Sequence, residues 1–170
     1  MDAVLIIVLL ISLYTDITYK KILNIVTFPA VVVGILGNVY FYGIPGGADS
    51  MKGLLLGLAL LMIPYILGGM GAGDVKLLGV VGAFKGTAFV FSAFLTVALV
   101  GGVIALVLMI KQGKFTARVR QVFFTVLSVL GVIPRMDLLG SFDDASALTF
   151  PYGSALVVGT ILTYFVRWIS

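Results

Sequence analysis

The chain has 170 residues, of which 61% are hydrophobic and only 11% are charged, and its formal net charge is +4. Because a soluble domain of this size carries roughly a quarter charged residues, the composition predicts an integral membrane protein. The sequence contains no His and no Cys, which excludes disulfides, iron–sulfur clusters and thiolate zinc sites and removes the commonest metal ligand and general base. The small positive charge is expected from basic residues that flank membrane spans, so it requires no nucleic-acid partner.

Apolar stretches of the length needed to cross a bilayer predict an all-α polytopic membrane protein with about six transmembrane helices. We expect these helices near residues 2–19, 23–42, 51–69, 74–86, 88–110 and 151–169. The first stretch lacks a basic start and a small-residue cleavage site, so we expect it to be retained rather than removed as a signal peptide. Between the fifth and sixth spans, an apolar stretch of about a dozen residues is too short to cross, and we interpret it as an interfacial or re-entrant helix. We expect residues 1–170 to form a single transmembrane domain.

The distribution of Lys and Arg predicts the orientation. Basic residues occur in the first, third and fifth connections, namely Lys20, Lys21, Lys76, Lys111, Lys114, Arg118 and Arg120. Because cytoplasmic connections carry the excess of basic residues, these three connections are expected in the cytoplasm and both termini outside. Lys85 and Arg167 are minor exceptions to this pattern.

Two acidic residues are expected at membrane depth on the cytoplasmic side. All seven acidic residues are Asp; Asp16 lies near the end of the first span and Asp74 begins the fourth. A charged side chain in a membrane is costly and is by default a functional hypothesis. Two carboxylates within hydrogen-bonding range cannot both ionise, so one holds a proton while the other activates water, as in aspartic proteases. This chemistry requires no His, Cys or metal.

Each of these residues also has a structural interpretation. Asp16 and Lys20 have the i,i+4 spacing of an ion pair on one helix face, and Asp74 opens a helix, where Asp is a favoured N-cap. Glycines spaced by four allow membrane helices to pack closely. Three such pairs occur: Gly53 with Gly57, Gly69 with Gly73, and Gly82 with Gly86.

Three segments resemble the type 4 prepilin peptidases, membrane aspartic proteases that process prepilins and archaeal preflagellins. The string GAGDVKLLGVVGAFKG resembles their GxGD motif. The string DITYKKILN is similar to the segment that carries their first Asp, although Leu23 stands where a Pro is common, and PYGSALVVG is similar to the start of their last helix. The resemblance implies that Asp16 and Asp74 are the catalytic pair, with Gly71 and Gly73 beside Asp74.

Several other residues are expected near Asp16 and Asp74, and for some of them two roles remain possible. Gly71 and Gly73 lack a Cβ, so they would let a substrate backbone lie against the turn and would admit φ values that other residues resist. Lys76 either anchors the interface by snorkelling or helps to keep a carboxylate of the pair ionised. Asn24 either hydrogen-bonds across helices or belongs to the site. In the last connection, Asp143 and Asp144 either attract a basic leader or form a solvated loop.

The resemblance also implies the reaction and the partners. Similar enzymes act in the cytoplasmic membrane and cut a basic leader from a prepilin-like or preflagellin-like substrate, after a Gly and just before its hydrophobic helix.

Longer members of that family carry an additional cytoplasmic domain with paired Cys motifs that look like a zinc site, and they also methylate the new amino terminus. Only a few residues separate the first two spans here, and without Cys no zinc–thiolate site forms. We therefore expect a short, peptidase-only enzyme without cofactor or metal. The sequence does not predict the oligomeric state.

Three alternatives remain open at this point. Presenilin-like proteases share a GxGD Asp but pair it with a Tyr-Asp dipeptide in the preceding helix, whereas Asp16 follows Thr15 and lies far upstream. A small proton-coupled transporter would use the two Asp residues as a relay, but it would need polar groups through the full membrane depth. A catalytically idle assembly partner would keep the fold without the activity.

Overall fold

The computed structural model describes residues 1–66, 70–111 and 152–169, and every element within these ranges is an α-helix. The helices are α1 (Asp2–Tyr19), α2 (Asn24–Ile66), α3 (Ala72–Lys111) and α4 (Tyr152–Ile169). Three stretches, Asp2–Tyr19, Asn24–Ile66 and Ala72–Ile104, are long and apolar enough to cross a membrane, and Gly153–Val166 is a shorter apolar helix. The expected all-α class is therefore found in the described residues. The predicted interfacial or re-entrant helix lies outside them, as do residues 67–69 of the third predicted span.

The chain divides into two compact units, residues 1–101 with 151–170 and residues 102–150. Only the last turns of α3 belong to the described part of the second unit. The packing and the candidate site that follow belong to the first unit.

Single glycines break α2 and α3. Gly43 has φ 67° and ψ −162°, and Gly86 has φ 78° and ψ −176°. This backbone conformation is essentially restricted to glycine. The breaks divide α2 into α2a (24–42) and α2b (44–66), and α3 into α3a (72–85) and α3b (87–111). The break at Gly86 agrees with the predicted boundary between the fourth and fifth spans.

The structure does not contain the connection between the second and third spans that the sequence predicted over residues 43–50. The residues after Gly43 are already helical, so the prediction of a separate turn there is wrong. Gly43 alone provides the change of direction, and Pro45 lies in the first turn of α2b, where a missing N–H costs no intrahelical hydrogen bond.

Glycines bring α2b against α3a at backbone distance. A Cβ built on Gly53 would meet the backbone of Gly82 and Gly86, and one built on Gly57 would lie 2.6 Å from the Leu78 carbonyl oxygen. As the residue number increases along α2b from Gly53 to Gly57, the number of the contacted residue in α3a decreases from Gly82 to Leu78. The two helices are therefore antiparallel. The expected close packing at glycines spaced by four is confirmed for this pair. In lipid, such backbone approach allows the van der Waals packing that drives helix association.

The segment α2a runs parallel to α3a, which makes α2a and α2b an antiparallel hairpin. Asn24 bonds Lys76 at one end of the pair, and Asn38 bonds Ala83 and Phe84 near the other. With α2a and α2b on it, α3a lies at the centre of the bundle. Its apolar side chains are fully buried, namely Leu77, Leu78, Val80 and Val81.

The side chains of Asn38 and Asp49 form hydrogen bonds with backbone groups on either side of the break in α3. The Asn38 amide donates to the carbonyl oxygens of Ala83 (3.2 Å) and Phe84 (3.0 Å), which precede the break. Asp49 Oδ1 accepts hydrogen bonds from the Thr87 backbone N–H (3.3 Å) and hydroxyl (2.7 Å), which follow it. Broken helix ends leave carbonyl and N–H groups without intrahelical partners, so α2a and α2b provide these partners from their side chains.

Asp2 and Lys85 mark one end of the bundle. Lys85 Nζ lies 3.1 Å from Asp2 Oδ1, and it also lies over the rings of Phe89 and Tyr164, 5.3 and 4.7 Å from their centroids. We call this the Asp2 end. Lys85 was an exception in the distribution of basic residues, and its charge is balanced here by Asp2.

Candidate active site

Asp16 lies in the last turn of α1. The helix ends at Tyr19 with Lys20 in the left-handed conformation (φ 54°), and the Lys20 N–H donates to the Asp16 carbonyl oxygen at 2.9 Å. This is the usual αL termination of a helix. An acidic side chain at this position is opposed by the helix dipole, so the dipole does not explain an Asp here. Lys20 interacts electrostatically with Asp16, but within the described residues the only ion pair is that of Lys85 with Asp2.

Asp74 lies in the first turn of α3 and is only 7% exposed. Its Oδ2 accepts a hydrogen bond from the Gly71 N–H at 3.3 Å, and its own N–H donates to the Gly71 carbonyl oxygen at 3.2 Å. Because α3 begins at Ala72, Asp74 is not the N-cap, but it does satisfy one free N–H at the helix start. Its Oδ1 is buried and accepts no hydrogen bond from any described residue. A buried polar atom without a partner requires an explanation, and helix capping accounts for Oδ2 alone.

The structure brings Asp16 and Asp74 together. They lie on different helices, α1 and α3, yet their carboxylates are close enough for their charges to interact. Asp16 is half-buried and Asp74 is buried. We call this side of the bundle the Asp16 end. The described residues therefore place, on one side of the bundle, the two carboxylates that an acid and base mechanism of the aspartic-protease kind uses.

Gly71 and Gly73 surround Asp74, but not for the conformational reason expected from the sequence. Positive φ in the described residues occurs at Lys20, Gly43 and Gly86, so the expectation of unusual φ values at Gly71 and Gly73 is wrong. Gly73 is required for close approach instead, since a Cβ there would lie 2.9 Å from Ile22 Cβ in the α1–α2 connection. Gly71 contributes its N–H to Asp74.

Lys76 and Asn24 bond each other rather than the carboxylates. Lys76 Nζ donates to Asn24 Oδ1 at 2.8 Å, which joins the starts of α2 and α3. The expectation that Asn24 hydrogen-bonds across helices is confirmed. Two positions separate Lys76 from Asp74, which places them about 200° apart around the helix, so Lys76 points away from Asp74. It lines an apolar cavity of about 280 Å³ with Thr27, Phe28, Val31, Leu54 and Leu58.

Gly153 also belongs to this end of the bundle, and the sequence assigned it no role. A Cβ built on Gly153 would lie 2.5 Å from Asp16 Oδ2 and 2.9 Å from Asp16 Cγ. The first turn of α4 therefore lies directly against the Asp16 carboxylate. The string PYGSALVVG, which resembles the start of the family's last helix, contains Gly153 but does not indicate its contact with Asp16. Asp143 and Asp144 lie outside the described residues.

The described residues contain no group of three or more His, Cys, Asp or Glu that could hold a metal ion. The groups described at this end of the bundle are the Asp16 and Asp74 carboxylates, the Gly71 N–H and the start of α4.

Comparison with known proteins adds one match. A model of the type IV leader peptidase family matches residues 3–106, a range that contains Asp16, Asp74, Gly71 and Gly73. No curated protein and no solved structure matches the chain. The family model covers more than half of the chain. It also agrees with the family inferred from the GAGD string and the first Asp segment, and the chain therefore belongs to the type IV leader peptidase family.

Proposed function

We propose that this protein is a membrane aspartic endopeptidase that removes the basic leader from type 4 prepilin-like or preflagellin-like proteins. Asp16 and Asp74 are its catalytic pair, and the cut is made at the cytoplasmic face. The membership of the leader peptidase family supports the class of reaction. The observation that carries the residue assignment is the Oδ1 atom of Asp74, which is buried and unpaired among the described residues, in a carboxylate that interacts electrostatically with Asp16.

In the proposed reaction, the two carboxylates hold one proton between them and bind a water molecule. The ionised Asp takes a proton from the water as it attacks the scissile carbonyl carbon, and the protonated Asp donates a hydrogen bond to the developing oxyanion. The roles exchange when the proton passes to the leaving amine. The hydrogen bond from the Gly71 N–H to Asp74 Oδ2 holds this carboxylate and leaves Oδ1 available to the reacting groups. A coupled pair titrates as a unit, so the base is assigned to the pair.

The proposed topology follows from the helix order. The breaks at Gly43 and Gly86 give six helical segments that alternate in direction. We propose that each segment crosses the membrane, which places both termini on the same side. Lys20 and Lys21 lie four and five residues after Asp16, and this excess of basic residues supports a cytoplasmic position for the Asp16 end in the inner membrane, with both termini outside. Gly71, Gly73 and Lys76 are proposed to contact the substrate on that side.

Co-expression with candidate prepilins tests the proposal. We expect a product whose intact mass corresponds to loss of the leader, with the new amino terminus just before the hydrophobic helix, and no product from a variant with Asn at both Asp16 and Asp74. A cut inside the hydrophobic helix would instead support a presenilin-like protease. Failure to process any prepilin-like or preflagellin-like substrate, with the protein folded in the membrane, would contradict the proposal.

A further inference from the structure

We propose that Gly153 is a positioning residue for Asp16, and that the absence of a side chain at Gly153 determines where the Asp16 carboxylate lies relative to Asp74. A Cβ on Gly153 would lie 2.5 Å from Oδ2, 2.9 Å from Cγ and 3.3 Å from Cβ of Asp16. All three nearest atoms thus belong to a single side chain. The inference rests on the proposed function, because it concerns the geometry of the proposed catalytic pair.

The contact is fixed on the α4 side. Farther along α4, a Cβ on Gly159 would meet Val97 Cα at 2.8 Å and Val97 N at 2.9 Å, so α4 lies at backbone distance from α3b. Leu156 and Val157, between these two glycines, are 0% and 1% exposed. Because protein interiors are close-packed, α4 cannot shift relative to α3b without opening or compressing these contacts.

The contact is adjustable on the Asp16 side. Its carboxylate is the end of a side chain with two rotatable bonds, whereas the α1 backbone beneath it continues a regular helix up to Tyr19. When a methyl group is added at position 153, rotation of the Asp16 side chain costs less than movement of either helix, since an off-rotamer side chain costs on the order of 1 kcal/mol. The substitution Gly153→Ala therefore displaces a carboxylate and preserves the fold and the chemistry of the group.

The size of the displacement follows from the contact distances. Ordinary van der Waals contact begins near 3.4 Å and the built Cβ lies 2.5 Å from Oδ2, so the oxygen must move by roughly 1 Å. A misplacement of about 1 Å costs on the order of 10²-fold in rate for a positioned catalytic group. The loss is expected in kcat, because Asp16 acts on the reacting bond, whereas the hydrophobic segment of the substrate binds elsewhere.

The experiment compares kcat and KM of the purified full chain with those of Gly153→Ala, using a prepilin-like substrate. The matched control is Gly102→Ala, another glycine of an apolar helix, where a Cβ would meet nothing within 4 Å. We expect kcat of Gly153→Ala to fall about 10²-fold with KM within a factor of about two, and Gly102→Ala to match the wild type. A wild-type kcat for Gly153→Ala, or a loss that appears wholly in KM, would overturn the inference.

A thermal double-variant cycle tests the same contact without activity. Gly153→Ala should lower the unfolding midpoint when Asp16 is present, and it should lower it less or not at all in an Asp16→Ala background, where the conflicting atoms are gone. An equal decrease in both backgrounds would mean that the methyl group conflicts with something other than Asp16 and would refute the assignment. Because this cycle needs no substrate, it remains informative if Asp16→Asn retains cleavage and the proposed function itself fails.

Discussion

The substitution Asn38→Leu tests how the broken helix at the centre of the bundle is stabilised. Asn38 is 8% exposed and joins α2a to α3a through its amide, which donates to the carbonyl oxygens of Ala83 and Phe84. The Thr87 N–H, which would bond Ala83 in an unbroken helix, bonds Asp49 instead. The Ala83 carbonyl therefore depends on Asn38. Leu has a similar volume and cannot donate, so the substitution removes the hydrogen bonds and keeps the packing.

The expected loss can be derived from the two interhelical bonds. In membrane proteins, each such bond contributes about 0.6 kcal/mol on average and up to about 1.7 kcal/mol. Two bonds therefore give about 1–3 kcal/mol, and the upper half of this range is favoured because buried carbonyl groups left without a partner add a desolvation cost.

Reversible unfolding in mixed detergent micelles measures this difference. The control is Ser92→Ala, since the Ser92 hydroxyl donates at 3.0 Å to the Ala88 carbonyl of its own helix, and we expect a change within about 0.5 kcal/mol for that variant. The folded Asn38→Leu protein should cleave normally, because Asn38 is near the Asp2 end. An Asn38→Leu variant as stable as the wild type would show that the amide does not stabilise the break in α3.

Three further predictions concern packing, topology and the product. Gly53→Val should prevent folding, because a side chain there meets the backbone of α3a, whereas Gly102→Val should be tolerated; detergent extraction followed by size-exclusion chromatography distinguishes the two. Cysteines introduced singly at Lys21 and Ala48, both exposed, should react with an impermeant thiol reagent from opposite sides of the membrane, and labelling of both from one side would refute the orientation. Pilin processed by the purified protein with S-adenosylmethionine and a chelator present should be cleaved and unmethylated, and a product heavier by one methyl group would contradict a peptidase-only activity.

The sequence predicted the helices better than the connections between them. Hydropathy identified α1 and the break at Gly86 because both depend on local composition. The prediction of a turn over 43–50 was wrong because a single glycine with positive φ can change the direction of a chain, and the following residues carry no signal that separates a polar turn from a helix start. Asn38 and Asp49 were not identified as structural residues, because their backbone partners lie in α3, far along the chain.

At the candidate site, too, the sequence predicted the positions of residues on helices but not the contacts between them. Asp16 and Asp74 could be predicted to converge because both lie at helix ends on one side of an alternating bundle. Sequence alone could not show which oxygen of Asp74 satisfies the helix start: Oδ2 accepts the Gly71 N–H and Oδ1 is unpaired among the described residues. The role of Gly153 depends on a contact between the first turn of α4 and the last turn of α1, which no local pattern contains.

The most direct measurement for the proposed catalytic pair is the single-turnover cleavage rate of purified Asp16→Asn and Asp74→Asn with a prepilin-like substrate. Asn keeps the size of the side chain and removes its acid–base function, so each variant should lose at least about 10²–10⁴-fold in rate while it remains folded and inserted. Asp2→Asn, which changes an exposed carboxylate at the opposite end of the bundle, should cleave at the wild-type rate. A folded Asp16→Asn or Asp74→Asn protein that retains near wild-type turnover would contradict the assignment of the pair.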